Sequence, residues 1–329
     1  MKALVKQIAE NKNRPVPVLS FPSTQLLDIS VKELIFSSEK QAEGMRAIVA
    51  RCPVGASLNM MDLSVEAEAF GAPIKVSENE IPTVAAPIVA GEADIERLAV
   101  PEVGAGRTGI YLEGVRIAAG RIAAVPVFCG AIGPYSLAGR LMDMTELMMA
   151  CFESPEAVSV LIEKCTRFIV SYIRAFRAAG AAGVVLAEPA AGLLSPDLCE
   201  AFSSRFVRRI VAETADEDFV FIYHNCGNTV PLAQSLIGVN ADIYHFGNAV
   251  RMEDILPLFP CDKLVMGNLD PLLLRTASPS EIRERTASLL KRCARYDNYM
   301  ISTGCDVPHS AKWENIDAFF DAVTAFYAQ

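Results

Sequence analysis

Basic charge is scarce in this 329-residue chain: Lys and Arg number 30 against 39 Asp and Glu, a formal net charge of −9. That balance excludes the electrostatic footprint of a nucleic-acid binder and a polybasic membrane surface, and leaves a small molecule or a protein as the partner. No glycine-rich phosphate loop of the G-x-G-x-x-G or G-x-x-x-x-G-K type follows the first strand candidate, and Gly104-Ala105-Gly106 is too short a match. A nucleotide-binding doubly wound sheet is therefore disfavoured. Long apolar runs are missing too. The uncharged stretch at residues 122–139 is interrupted by Pro126, Gly130, Gly133 and Pro134, and reads as a strand entering a loop. Residues 1–10 carry too many charges for the apolar region of a signal peptide. Nor is there a disulfide framework, because the cysteines at 52, 129, 151, 165, 199, 226, 261, 293 and 305 are scattered through a long chain. Such usage predicts reduced thiols and a cytoplasmic location. With no repeat, linker or shift in composition, residues 1–329 are expected to form a single domain.

What the chain does have is a 52% hydrophobic fraction, enough for a large core, and a regular alternation of strand-like and helix-like segments. Strands are expected at 17–21, 56–61, 125–130, 183–187, 219–224, 241–246, 263–267 and 298–302. Helices are expected between them, notably at 37–51, 155–179 and 314–327. Ser195-Pro196-Asp197 and Ser278-Pro279-Ser280-Glu281 carry the Ser cap and first-turn Pro of helix starts. The later strands are continuous apolar runs, as buried parallel strands are. The pattern predicts a (β/α)8 TIM barrel with an N-terminal helical extension and a small insertion at about 72–103, which contains a hairpin.

In such a barrel, chemistry gathers at the C-terminal ends of the strands. Those positions hold Asp62, Glu188, His224 with Cys226, His245, Asn268 with Asp270, and Cys305. His224 and Cys226, two apart at a strand end, point the same way, and imidazole and thiolate are ligands that zinc prefers. Cys305, 305 − 226 = 79 residues beyond Cys226, supplies a third ligand from another strand end. Spacing alone admits two readings, a zinc site with an open fourth position or two buried thiols beside a hydrogen-bonded imidazole.

Several short motifs occur together and in order: Met61-Asp62-Leu63-Ser64 running on to Gly71, Gly133-Pro134-Tyr135-Ser136 running on to Arg140, Glu188-Pro189, Leu194-Ser195-Pro196, His224-Asn225-Cys226-Gly227-Asn228, Gly267-Asn268-Leu269-Asp270-Pro271 and Gly304-Cys305-Asp306-Val307-Pro308. With them the chain resembles the uroporphyrinogen decarboxylase superfamily, and within it the methylcobamide:coenzyme M methyltransferases. The resemblance implies a (β/α)8 barrel with Zn2+ held by His224, Cys226 and Cys305. It also implies methyl transfer between a corrinoid (methylcobalamin-type) on a carrier protein and a small thiol substrate activated as a zinc thiolate. Beside the metal, Glu188, Asp62 and Asp270 are candidates for orienting ligands or accepting the thiol proton, and Asn228 and Asn268 for polar contacts with substrate.

Two departures matter. The acidic residue that these methyltransferases carry after the sixth strand is absent from Tyr244-His245-Phe246-Gly247-Asn248, so His245 or water would take zinc's fourth position, unless His245 is a hydrogen-bonded barrel residue. The arginine-rich motif of the true decarboxylases is absent from Ser20-Phe21-Pro22-Ser23-Thr24-Gln25, although a polycarboxylate tetrapyrrole calls for guanidinium clamps. Decarboxylation is therefore the alternative activity, and a non-catalytic corrinoid-binding barrel the alternative from another class.

Overall fold

The computed structural model describes residues 1–328. Strand β1 (Ser57–Leu58) is followed by an antiparallel hairpin, β2 (Ile74–Lys75) with β3 (Thr83–Val84). Six longer strands come after it: β4 (Val127–Ile132), β5 (Gly183–Ala187), β6 (Val220–Asn225), β7 (Ile243–Phe246), β8 (Leu264–Leu269) and β9 (Tyr299–Thr303). Leaving out the hairpin, these form one parallel seven-stranded sheet in chain order, β1-β4-β5-β6-β7-β8-β9. Helices such as Pro155–Ala178 and Pro279–Cys293 make the crossovers. Both expected Ser caps are present, with Ser195 Oγ accepting from Leu198 N and Ser278 Oγ from Glu281 N.

Strand alternation sorts the apolar side chains into two cores. Leu58, Phe128, Val185, Val220, Ile222, Ile243, Leu264, Met266 and Met300 form one cluster on the inner face of the curled sheet. Val5 and Ile8 of the N-terminal helix Ala3–Glu10 join this inner cluster. Phe221, Tyr223, Tyr244, Val265 and Ile301 alternate with the inner set and pack in the larger cluster with the surrounding helices.

The sheet has seven strands rather than the eight expected, because residues 17–21 form no ladder. Pro15 and Pro17 have no N–H to donate, and this segment is held by single bonds instead. Gly55 N donates to Pro15 O (2.9 Å), Ser302 Oγ to Val16 O (2.7 Å), Val18 N to Thr303 Oγ1 (3.1 Å) and Val307 N to Val18 O (2.9 Å). Val16 and Val18 still pack in the inner core. The segment thus lies between β9 and the chain entering β1 without pairing with either as a strand. The strand expected at 56–61 shortens to Ser57–Leu58 for a related reason: Asn59 Oδ1, not a backbone carbonyl, accepts from Gly130 N (2.7 Å), which ends the ladder with β4.

The hairpin falls inside the expected insertion. Its far end is pinned where Ile88 N and Val89 N both donate to Leu141 O (2.8 and 3.0 Å). Residues 84–87 then form one wall of a cleft of about 450 Å³, opposite Leu63, Ile132, Ser136, Arg140 and Pro189. No helix among the described residues is long and apolar enough to cross a membrane.

Candidate metal centre

Period-two alternation carries the inner face of the sheet from apolar to polar at the strand ends. Ile222 is followed two residues on by His224, Ile243 by His245 and Met300 by Ser302. Parallel register sets His224 beside His245. Cys226 follows immediately after β6, and Cys305 lies two residues past β9.

One ligand atom from each of His224, Cys226 and Cys305 lies within 4.8 Å of the other two, the one such cluster of metal-binding residue types among the described residues. His224 is buried and both thiols are half-buried. Cys305 Sγ is 3.8 Å from His224 Nε2. Tetrahedral zinc with bonds of about 2.0–2.3 Å sets neighbouring ligand atoms roughly 3.5–3.8 Å apart, so these residues fit the ion with little movement. Two thiols and an imidazole are also the donor set that a borderline-soft cation selects. The hydrogen bond from Cys305 pulls the Cys226 thiol down to about 4, and the same contact together with burial pushes Cys305 up.

A buried relay fixes the tautomer of His224. His245 Nε2 lies 2.8 Å from the Thr303 carbonyl oxygen, which can only accept, so this nitrogen carries the proton. Ser302 Oγ, 2.9 Å from the same nitrogen, donates its own hydrogen to Val16 O. Burial, then the neighbouring His224, pushes His245 well below the usual imidazole pKa, and the ring is neutral. Its Nδ1 therefore accepts, and His224 Nδ1, 2.7 Å away, donates. The Nε2 lone pair of His224 is left facing the thiols. Metal-bound imidazoles are usually oriented in this way through their second nitrogen.

The relay favours the hydrogen-bonded reading of His245 over that of a fourth ligand or substrate contact: the ring stands behind His224 with both nitrogens engaged. The predicted acids are also turned elsewhere. Glu188, fully buried at the end of β5, accepts from Tyr135 N and Ser136 N (both 2.9 Å) and from Ser203 Oγ (3.0 Å). It caps the first turn of the helix Pro134–Met142. A Cβ at Gly133 would stand 2.2 Å from its Oε2, so only glycine admits this approach. Asp62 accepts from Ser64 N and Oγ, from Tyr111 OH and from Arg107 Nη1. Arg107 also binds Glu68 (2.6 Å) and Ser64 Oγ (2.8 Å).

Asn268 spends its amide on Gly247 O and Val250 O (2.8 and 2.7 Å), fixing the loop after β7. Asp270 receives Leu272 N in a local turn and lines an outer groove with Arg251 and Arg292. Asn228 is exposed on the loop after Cys226. Two residues without a predicted role emerge: Arg107, the one buried basic side chain among the described residues, and Asp306, next to Cys305, whose two carboxylate oxygens are both buried without a hydrogen-bond partner. Nothing local in sequence signals Arg107, whereas Asp306 follows a metal-type cysteine.

Glu66, beside Asp62, accepts from Ile132 N through Oε1 (3.0 Å), while Oε2 has no partner. Burial pushes its carboxyl from 4.5 up to about 7. A raised carboxyl pKa means that the folded chain holds the proton longer than the unfolded one. This contribution is present below about pH 4.5 and is lost as pH rises through 7, on the order of 3 kcal/mol in total. Urea unfolding at about pH 5 and pH 8 should show that Glu66→Gln removes this loss; an unaltered pH slope would place the effect elsewhere.

The curled parallel sheet with a His-Cys-Cys cluster at its mouth defines a barrel-like α/β protein whose strand ends bring together the donor set a soft metal takes. The chain belongs to the uroporphyrinogen decarboxylase (URO-D) family, whose model matches residues 18–326. A methylcobamide:CoM methyltransferase of Methanosarcina acetivorans is 26% identical over 70% of this chain and 68% of its own. A methylated-thiol–coenzyme M methyltransferase of Methanosarcina mazei is 24% identical over 94% and 83%. A uroporphyrinogen decarboxylase of Desulfotalea psychrophila is 26% identical over 82% and 79%. Among solved structures, a methyltransferase from Methanosarcina mazei superposes with a TM-score of 0.87 at 20% identity, covering 99% of this chain and all of that one. A B12-independent methionine synthase from Shewanella gives 0.62 at 16% identity, covering 90% and 88%. At these identities the two structures speak for the fold alone.

Proposed function

We propose that this chain is a zinc-dependent methyltransferase that moves a methyl group between a corrinoid, presented by a carrier protein, and a thiol, in the reducing cytoplasm. The observation that carries the reading is the convergence of His224, Cys226 and Cys305 within 4.8 Å at the mouth of a URO-D barrel. The decarboxylase reading lacks its clamps: the one buried basic residue among the described residues, Arg107, is consumed by Asp62 and Glu68.

His245 holds His224 with its Nε2 lone pair directed at the site, and the Cys226–Cys305 pair is deprotonated on loading. Zinc bound there supplies a Lewis acid that keeps an acceptor sulfur deprotonated near neutral pH. Cys226 and Cys305 are half-buried, so an acceptor sulfur held beside them would be within reach of solvent-side methyl donors. With a methylcorrinoid presented there, the S–C bond would form as the C–Co bond breaks, with both electrons of that bond left on cobalt and the thiol proton passing to solvent. The same parts serve the reverse reaction. Glu188 and Asp62 act as supports for the loops around the mouth, and the insertion wall with Arg140 contributes to the surface that receives the carrier.

The test is anaerobic absorption spectroscopy of methylcobalamin with zinc-replete protein and a panel of thiols. Conversion to Co(I) in the presence of at least one thiol is expected. Zinc-loaded protein that demethylates with none would overturn the reading.

A further inference from the structure

Asp306 is the unexplained group of the site. Both of its oxygens are shielded from solvent and neither has a hydrogen-bond partner. The N–H of Val307, which leans toward the carboxylate, is held by Val18 O at 2.9 Å. Asp306 directly follows Cys305 on the loop after β9, so it belongs to the same end of the sheet as the His224, Cys226 and Cys305 cluster. Arg107 does not answer it, because each of its three guanidinium nitrogens already donates to Asp62, Glu68 or Ser64. Ser20 Oγ and Asn59 Nδ2, from the segments flanking β1, are also buried without partners. Buried polar atoms are nearly always satisfied in native proteins, and a carboxylate kept from water without a donor or counter-charge is costly. Such a group is stable when something else completes it, and what it lacks is a hydrogen-bonding cation.

We propose that Asp306 binds the cationic nitrogen of the acceptor, which makes the preferred substrate an aminothiol. This inference rests on the methyltransferase reading and names the substrate class for it. Asp306 and Cys305 are neighbours in the chain, with Cα atoms about 3.8 Å apart, so the acceptor this proposal calls for carries a short spacer of about two or three carbons between sulfur and nitrogen. A thiol ending in an anionic sulfonate would instead meet Asp306 and Asp62 with like charge and find no unpaired buried base.

Calorimetric binding to the zinc-replete full chain tests this with thiols that differ in their terminal group: 2-aminoethanethiol and 3-aminopropanethiol against 2-mercaptoethanol and 2-mercaptoethanesulfonate. At least one aminothiol should bind tenfold or more tighter than the neutral and anionic compounds. Asp306→Asn should cut that ratio at least tenfold while zinc per chain is retained. Equal binding of the series, preference for the sulfonate, or a ratio that survives Asp306→Asn overturns the proposal and marks Asp306 as a water-satisfied structural acid. If Asp306→Asn fails to fold, competition on the parent protein decides: 2-aminoethanol should displace the aminothiol, and 2-hydroxyethanesulfonate should not. Methylcobalamin demethylation separates the two claims. Demethylation without charge preference removes this inference alone, whereas charge-selective binding without demethylation removes the methyltransferase reading and leaves the cation site standing.

Discussion

Cys305→Ser and His224→Ala should emerge from dialysis against a weak chelator without metal, under conditions that leave the parent chain with about one zinc. Structural zinc sites bind with roughly 10–16 kcal/mol shared among their ligands, so losing one costs about 3 kcal/mol, on the order of 10²–10³ in affinity. Methyl transfer should fall with the metal and return only at high added zinc. The three histidines of the chain then sort by position. His245→Phe keeps the ligand set but removes the shorter acceptor of His224 Nδ1–H, leaving it the backbone carbonyl of residue 245 at 3.2 Å, and the expected loss is about 10-fold in zinc affinity. His245→Gln, whose amide can both accept and donate, should recover part of this. His309 touches neither ring, and His309→Ala should leave zinc affinity as it was. Direct metal analysis with competitive chelation reads all five variants, and zinc retained in Cys305→Ser would refute the site.

That ranking shows what a sequence can carry. The ligands were legible because zinc needs particular atoms, and His-x-Cys at one strand end with Cys305 at another announces them. The roles of Glu188 and Asp62 were not legible, although their positions at strand ends were. A carboxylate at a strand end reads the same whether it faces a substrate or the first turn of a neighbouring helix. The difference lies in Tyr135 N, Ser136 N and Arg107, which are distant in sequence. The alternation of strands and helices was legible for a similar reason to the ligands, since buried parallel strands are continuous apolar runs. The eighth strand failed because an apolar pattern records burial rather than backbone pairing: Val16 and Val18 are buried as expected, yet Pro15 and Pro17 deny them a ladder.

Arg107→Met should be the most destabilising single change considered, about 3–5 kcal/mol, because it leaves acids behind rather than removing a pair. Asp62, with a fully buried side chain, would keep Ser64 and Tyr111 as donors but lose its counter-charge, and Glu68 would lose its bond as well. Urea unfolding of the parent, Arg107→Met and Arg107→Met with Asp62→Asn should show the double variant recovering part of the loss, since the stranded charge is then gone. Arg116→Met serves as the reference: its pair with Glu113 is exposed and should contribute under about 1 kcal/mol. Equal losses for Arg107→Met and Arg116→Met would refute the account. The proposed zinc ligands stand at the ends of β6 and β9, whereas Arg107 and Asp62 brace the loop after β1. Folded Arg107→Met is therefore expected to bind zinc like the parent while holding its β1 loop less firmly, which separates the support of the mouth from the chemistry performed there.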